Sequence, residues 1–555
     1  MVKFTPLSLL VLASQANATL SLRSISRGKN GFKGRFLSED SIAGFVPETA
    51  GTDHNAIDLD QMVIEQEVQK ENAGSFARAK DVYENGGHSK SFAKLTLTSA
   101  QTSLGLLDKT PVIGTDVSGV QVTGKVYSSS GTPADEIWVQ YDTSSLQESY
   151  VGCQVGNGAL VATGNHKTSG CFEASGTVAI AGVQYSYAYI PEEDNHNGRT
   201  IQGFSLSTLD KMIKPSTSCP GCPYEDASYF DNYYGTPMYG DMWVQAAFAG
   251  TPTNFPSGRG DADFSLYNFE GRAQAIQKGT AYMIIFMYVI REFEDALDDC
   301  EKKCPLEGCN DDAVHAWDEG VAFYTGSLEG KSGDGDGKLL HALADKRCVN
   351  FGTCYDDIGG KSKVNKEILA LFKKGSGELL EKRCEDARKT KNKIVDLMYI
   401  PLIQGTLRYA YKVHMLQGGE KEKAEGAIFA ASVLPRIFAE NESDAETIYE
   451  NMRVGAVSTS FSEVKEAFER NYKKLNIKCS DVGGLLDNEG NYHEGMEPCR
   501  DEKNNTIGII LGSVAGMIAF LGVGLVVRRK RARNDYVSPD MNTVEAYNDG
   551  KGEMN

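Results

Sequence analysis

Along Ile57–Glu84 apolar positions recur at helical spacing among good helix formers, and the pattern predicts a first bundle helix over 57–94. The period then changes. From about 95 to 205 the chain is rich in Val, Thr, Tyr and Gly, with alternating stretches such as Val120–Tyr127 and Val178–Tyr189. These read as short strands joined by glycine turns. A Tyr- and Pro-rich passage, Tyr224–Phe255, is assigned with them to an inserted module over 95–260. Helical periodicity returns from Phe269 to about Lys474, broken by Gly-rich loops, and predicts a bundle over 261–503. The expected class is α+β: a mainly helical bundle of two related halves, an inserted β-rich module and one C-terminal transmembrane helix.

The two halves are read from a faint repeat. Arg272, Lys278 and Met287-Tyr288 recur as Arg383, Lys389 and Met398-Tyr399. Glu319-Gly-Val-Ala-Phe323 is echoed by Glu425-Gly-Ala-Ile-Phe429, and Tyr83-Glu-Asn85 by Tyr449-Glu-Asn451.

The ends supply topology. Lys3, the apolar run Leu7–Ala13 and Ala16-Asn17-Ala18 describe a cleavable secretory signal over 1–18. Residues 19–56 lack periodicity and are expected to form a flexible arm. Thr506–Val527 carries no charge and at helical rise spans about 33 Å, enough to cross a bilayer. Arg528, Arg529, Lys530, Arg531 and Arg533 follow, so residues 528–555 form a cytoplasmic tail and the bulk lies outside the cell. Gly508, Gly512 and Gly516 permit a homodimer through the span. The expected location is the plasma membrane, as a single-pass type I protein.

Composition narrows the chemistry. Twelve cysteines between Cys153 and Cys499 read as disulfides of open connectivity in an oxidising compartment. A formal net charge of −18 excludes nucleic-acid partners and suits cations. Asn441-Glu-Ser443 and Asn504-Asn-Thr506 are glycosylation sequons. Gly330-Lys-Ser332 and Gly360-Lys-Ser362 lack the first glycine of a phosphate loop, and Asp334-Gly-Asp336-Gly lacks a calcium loop's closing Glu. No H-E-x-x-H or G-x-S-x-G is present, so no enzyme activity is expected.

One segment carries metal chemistry. In His315-Ala-Trp-Asp-Glu-Gly-Val-Ala-Phe-Tyr-Thr-Gly326, helical spacing puts His315, Asp318 and Glu319 on one face. Tyr288, Glu292 and Asp295 share another face, and the repeat supplies Tyr399 and Glu425. Phenolate and carboxylate oxygens are hard donors that suit ferric iron. The bland reading of the same residues is a solvated helix face and core tyrosines. Lone His341 and His414 read as structural.

The passages His315–Gly330 and Asp345-Lys-Arg-Cys-Val-Asn-Phe-Gly-Thr-Cys354 resemble the algal phytotransferrins, also called iron-starvation-induced proteins. The Tyr-rich Tyr229-Phe-Asp-Asn-Tyr-Tyr-Gly235, the signal peptide and the anchor look similar too. The resemblance covers roughly residues 57–500. It implies a surface receptor that binds ferric iron together with carbonate and enters the cell by endocytosis through its endocytic machinery. Arg272, Arg383 and Arg347 are candidates to hold the carbonate, because a guanidinium meets an oxyanion with two bonds. In architecture alone the bundle is similar to the imelysin class. Tyr536-Val-Ser-Pro539 departs from a tyrosine sorting signal in its last position. The competing expectations are a surface adhesion protein without metal and a metal-dependent surface enzyme.

Overall fold

The structure is a computed structural model that describes residues 41–49, 55, 57–86, 92–98, 111–115, 121–127, 135–141, 175–188, 195–196, 200–216, 219–302, 313–355 and 360–500. The signal peptide, the transmembrane span with its glycines, the tail and Asn504 lie outside the described residues. Among the described residues no helix is long and apolar enough to cross a membrane.

The body is mainly helical, with one antiparallel sheet. Helices α1 (Ile57–Val68) and α2 (Ala73–Asn85) come first, α2 capped by Asn72 Oδ1, which accepts from Ser75 N at 3.0 Å. The strands follow: β1 (Phe92–Leu97), β2 (Pro111–Thr115), β3 (Gln121–Tyr127), β4 (Glu136–Tyr141), β5 (Ser175–Ile180), β6 (Val183–Ala188) and β7 (Asn195–His196). The ladder runs β4-β3-β2-β5-β6-β1-β7, and β1 also pairs back to β4 from Phe92↔Gln140 to Thr96↔Glu136, giving a barrel-like sheet. Alternation follows the pleat: Val178 and Ile180 on β5 point inward beside Leu95, Val112, Val126, Ile137 and Val139. None of these belongs to the main core cluster, so the sheet has an interior of its own.

The inserted module ends earlier than the composition suggested. After a short helix α3 (Ile201–Leu206), the Tyr-rich passage is helical, as α4 (Glu225–Tyr234) and α5 (Tyr239–Ala249). Its tyrosines at 233, 234 and 239 sit in the main core, where Tyr234 Oη donates to Ala431 O at 2.8 Å. Helical spacing was present there, but aromatic and proline content masked it. The expected arm over 19–56 also ends early. Phe45 is buried against Phe372, and Ala43 N and Gly44 N donate to Gly330 O and Lys331 O at 3.0 and 2.7 Å.

A long rod follows: α6 (Phe269–Gly279), a π-helical segment (Thr280–Ile285) and α7 (Phe286–Lys302). Then come α8 (Ala313–Thr325), α9 (Leu340–Phe351), α10 (Lys363–Leu380), α11 (Cys384–Met415), α12 (Glu420–Glu440), α13 (Glu442–Met452) and α14 (Phe461–Asn471). The most extensive pairings are α7 with α8, α11 with α12, and α12 with α6. Gly320 makes the first possible: a Cβ there would meet Phe293 Cε1 at 2.6 Å. Gly405 does the same for α11 on α12, where Phe429 would be met at 2.6 Å.

The repeat thus falls on two corresponding helix pairs, but the environments differ. Lys278 is 13% exposed in its side chain and Lys389 is 74% exposed. Four disulfides join described cysteines: 219–222, 300–384, 348–354 and 479–499. Cys300–Cys384 ties the end of α7 to the start of α11. Asn441 caps α13 rather than lying in a loop, accepting from Asp444 N at 3.2 Å.

Candidate metal centre

The close α7–α8 packing brings two of the expected faces together. Arg291 on α7 is the link between them: Glu292, Tyr288 and Asp295 on its own helix and Glu319 on α8 all act on its charge, and Glu319 is paired with His315. Arg291 Nη1 lies 2.6 Å from Glu292 Oε2, and Nη2 lies 3.1 Å from Asp295 Oδ2. Burial opposes the guanidinium's charge, but Glu292, the Tyr288 phenol, Asp295 and Glu319 more than offset it, so its pKa is raised. Three carboxylates therefore surround one cation.

His315 Nε2 lies 3.2 Å from Glu319 Oε1. Its Nδ1 is 3.1 Å from Thr49 Oγ1, and that hydroxyl donates to Asp318 Oδ2 at 2.8 Å. Thr49 N donates to the same carboxylate oxygen at 2.8 Å. A hydroxyl has one proton, so toward His315 Thr49 accepts, and hydrogen-bond logic puts a proton on Nδ1. Nε2 then either carries a second proton, as imidazolium paired with Glu319, or turns a lone pair toward a carboxylate. The second state needs either a proton on Glu319 or a cation between them. An outer partner that fixes the tautomer in this way is what orients a metal-bound imidazole.

Asp318 shares the helix face but not the cluster. It is fully buried, held by Thr49, and its carboxyl is pushed up to about 6 by burial against the Thr49 hydrogen bonds. It positions His315 through Thr49. Tyr288 stacks on Phe204 with ring centroids 3.8 Å apart, and Lys211 Nζ donates to its phenol oxygen at 3.2 Å.

The other expected donors lie elsewhere. Phe286, two residues before Tyr288 and so on a nearly opposite side of α7, packs against Tyr399 at 5.0 Å. Burial, with Asp226, Tyr239 and Tyr229 beside it, pushes the Tyr399 phenol well up against the opposing pull of Arg436, and its Oη lacks a hydrogen-bond partner. Glu425 Oε1 lies 3.1 Å from Lys278 Nζ in a separate pocket shared with Arg347. Arg272 spends its donors on the carbonyl ends of α5, Ala247 O at 2.7 Å and Phe248 O. Arg383 is exposed and pairs with Glu381 and Asp386. The duplicated faces do not close one cage, and neither arginine faces these donors. Lone His341 pairs with Glu329 at 3.4 Å, and His414 Nδ1 accepts from Phe461 N.

Sequence reasoning missed Arg291, Thr49 and Lys211. Arg291 was visible one residue before Glu292 and four before Asp295, the spacing of an intrahelical ion pair. Thr49 and Lys211 are remote in sequence and left no local signal.

Among the described residues, no three His, Cys, Asp or Glu side chains are gathered so as to hold a metal unaided. At this cluster Glu292 and Asp295 are paired with Arg291. The donor set suits a hard or intermediate cation, provided the guanidinium moves aside.

Family models, curated proteins and solved structures give no match to this chain.

Proposed function

We propose that the chain is a cell-surface receptor that takes ferric iron as cargo between α7 and α8, with carbonate completing the shell. His315 Nε2, Glu319, Glu292 and the Tyr288 phenol are the donors in this reading. Tyr399, Glu425 and Asp318 are not. Arg291, released from Glu292 and Asp295 as the metal takes carboxylate oxygens, is the residue placed to hold the carbonate, in preference to Arg272, Arg383 or Arg347. A planar guanidinium suits that anion better than an ammonium.

One observation carries the reading: His315 is pinned through Nδ1 by the Thr49–Asp318 pair while Nε2 faces Glu319 at 3.2 Å. A solvated helix face needs no such buried brace. The four disulfides suit an extracellular location. Entry by endocytosis rests on the resemblance to phytotransferrins alone.

The test is a ferric titration of soluble residues 19–503 with and without bicarbonate, following the phenolate-to-iron charge-transfer band. The band should need bicarbonate, vanish in Tyr288→Phe and survive in Tyr399→Phe. A band of full strength in Tyr288→Phe removes this site from consideration.

A further inference from the structure

The pocket holding Glu425 has the opposite charge balance and calls for a different ligand. Five elements build it. The rod supplies Gln277, Lys278 and, from its π segment, Tyr282. Helix α9 supplies Lys346 and Arg347, with Lys338 just before it. Helix α11 supplies Arg408 and Tyr409, α12 supplies Glu425, and α1 supplies Gln61 and Glu65. Five cationic side chains thus gather about two carboxylates.

The rings form a wall: Tyr282 stacks on Phe429 at 5.3 Å, and Tyr409 on its other side at 5.8 Å. The Arg347 guanidinium lies 5.7 Å from the Phe429 centroid and 5.9 Å from that of Tyr409. Arg347 is 2% exposed; among the described residues its Nη1 donates to Asn350 Oδ1 at 3.0 Å, and its Nε has no hydrogen-bond acceptor. Gln277, 4% exposed, likewise has an Nε2 without an acceptor. The buried Gln61 Oε1 and Glu425 Oε1 in turn lack a hydrogen-bond donor and can serve Gln277, so it is the Arg347 Nε, on a guanidinium 2% exposed, that points to an acceptor supplied from outside.

Electrostatics agree. Burial and then Arg347 and Lys278 push Lys346 down to about 8, a repulsion that a bound anion would relieve. Burial alone would raise Glu425, yet Lys278, Tyr409 and Arg347 hold it below its usual value, so it stays charged and the surplus remains cationic. Lys346 is exposed as a residue although its ammonium is partly desolvated beside Arg347, and Lys278 and Arg408 are half-buried, which leaves a mouth for a small ion.

We propose that the Lys278–Lys346–Arg347–Arg408 pocket is a binding site for a small, multiply charged tetrahedral oxyanion of the phosphate class, separate from the α7–α8 centre and independent of any metal. The guanidinium edge and the Gln277 amide supply directional donors, and the lysines supply charge.

Calorimetric titration of the metal-free soluble protein with inorganic phosphate at physiological salt tests this, with chloride and bicarbonate as comparison ions. The wild type should bind one phosphate. Lys346→Gln, an exposed change that leaves the fold intact, should weaken binding about tenfold, and Arg347→Lys should weaken it further by losing the planar fork. Lys423→Gln on α12, a residue outside the pocket, should leave it unchanged. No saturable heat, or equal affinity in all three variants, overturns the proposal. So does an anion that binds only once iron is present, because the pocket would then belong to the metal. Failure here leaves the Tyr288 charge-transfer test untouched, and the converse also holds.

Discussion

Replacing Arg291 with Met tests whether that guanidinium is the counter-ion of the carboxylates at the proposed α7–α8 site. Methionine keeps most of the stem volume and removes the charge. Glu292 is 1% exposed and loses a partner at 2.6 Å, while Asp295, 15% exposed, loses one at 3.1 Å. Removing one member of a buried pair costs about 3–5 kcal/mol, because the survivor is left uncompensated. The better-solvated Asp295 adds at most about 1 kcal/mol. At roughly 2 cal/mol/K of unfolding entropy per residue, a body of this size loses about 1 °C of Tm per kcal/mol, hence a drop of about 3–6 °C. The assay is thermal unfolding of metal-free protein followed by circular dichroism, repeated with ferric iron and with bicarbonate. Iron should stabilise Arg291→Met more than the wild type, because the metal no longer competes with a resident cation. Bicarbonate should add little to the variant, because the group that would hold it is gone. A variant as stable as the wild type without metal would refute the counter-ion role. Undiminished bicarbonate dependence would refute the anion-holding role.

Other outcomes follow from the same geometry. Gly320→Ala drives a methyl to within 2.6 Å of the buried Phe293 ring, so we expect a loss of about 1–3 kcal/mol and weaker ferric binding, read from denaturant midpoints and from the charge-transfer band. Asp58 is wholly buried, its carboxyl pushed up to about 7 by burial despite hydrogen bonds from Leu328 N and Ser327 Oγ. A raised acid means the native state keeps a proton the unfolded chain has lost, so stability should fall as pH rises from about 4 to about 7, by up to roughly 4 kcal/mol. Asp58→Asn should flatten that slope, and an unchanged slope in urea titrations at pH 5 and 8 would count against the assignment. Opening Cys300–Cys384, with a sequence separation of 84, by a double Ser substitution should cost about 4–5 kcal/mol on loop-closure grounds, measured as a shift in urea midpoint. Replacing residues 87–199 by a short Gly/Ser linker should leave the helical body folded with its cooperative transition intact, because the sheet's buried residues lie outside the main core.

Much of the helical framework was legible because apolar spacing is local. The strand region was legible for the same reason, and Glu319–Gly320 against Tyr288–Glu292 was recognisable as two faces that could meet. The failures have physical causes. Helical periodicity in Tyr224–Phe255 hid beneath aromatic content, which strands and buried helices share. Tyr288 and Tyr399 occupy matching places in a repeat, yet helix phase sends one toward Phe204 and the other into a different cluster. A search for anionic donors passes over the cation that neutralises them, so Arg291 was overlooked. The basic pocket draws on five elements spread from Gln61 to Glu425, and no spacing rule along the chain could announce it.

The π segment at Thr280–Ile285 divides one rod into two working ends. Ahead of it Lys278 turns toward the basic pocket, and beyond it Tyr288 turns toward Phe204 and Lys211. Wider turns of this kind reset the angular phase of everything downstream. Wound as a regular α-helix, the same residues would swing the phenol out of alignment by about 100° while leaving Lys278 in place. A six-residue stretch with no charged side chain therefore acts as the indexing joint between two sites of opposite polarity.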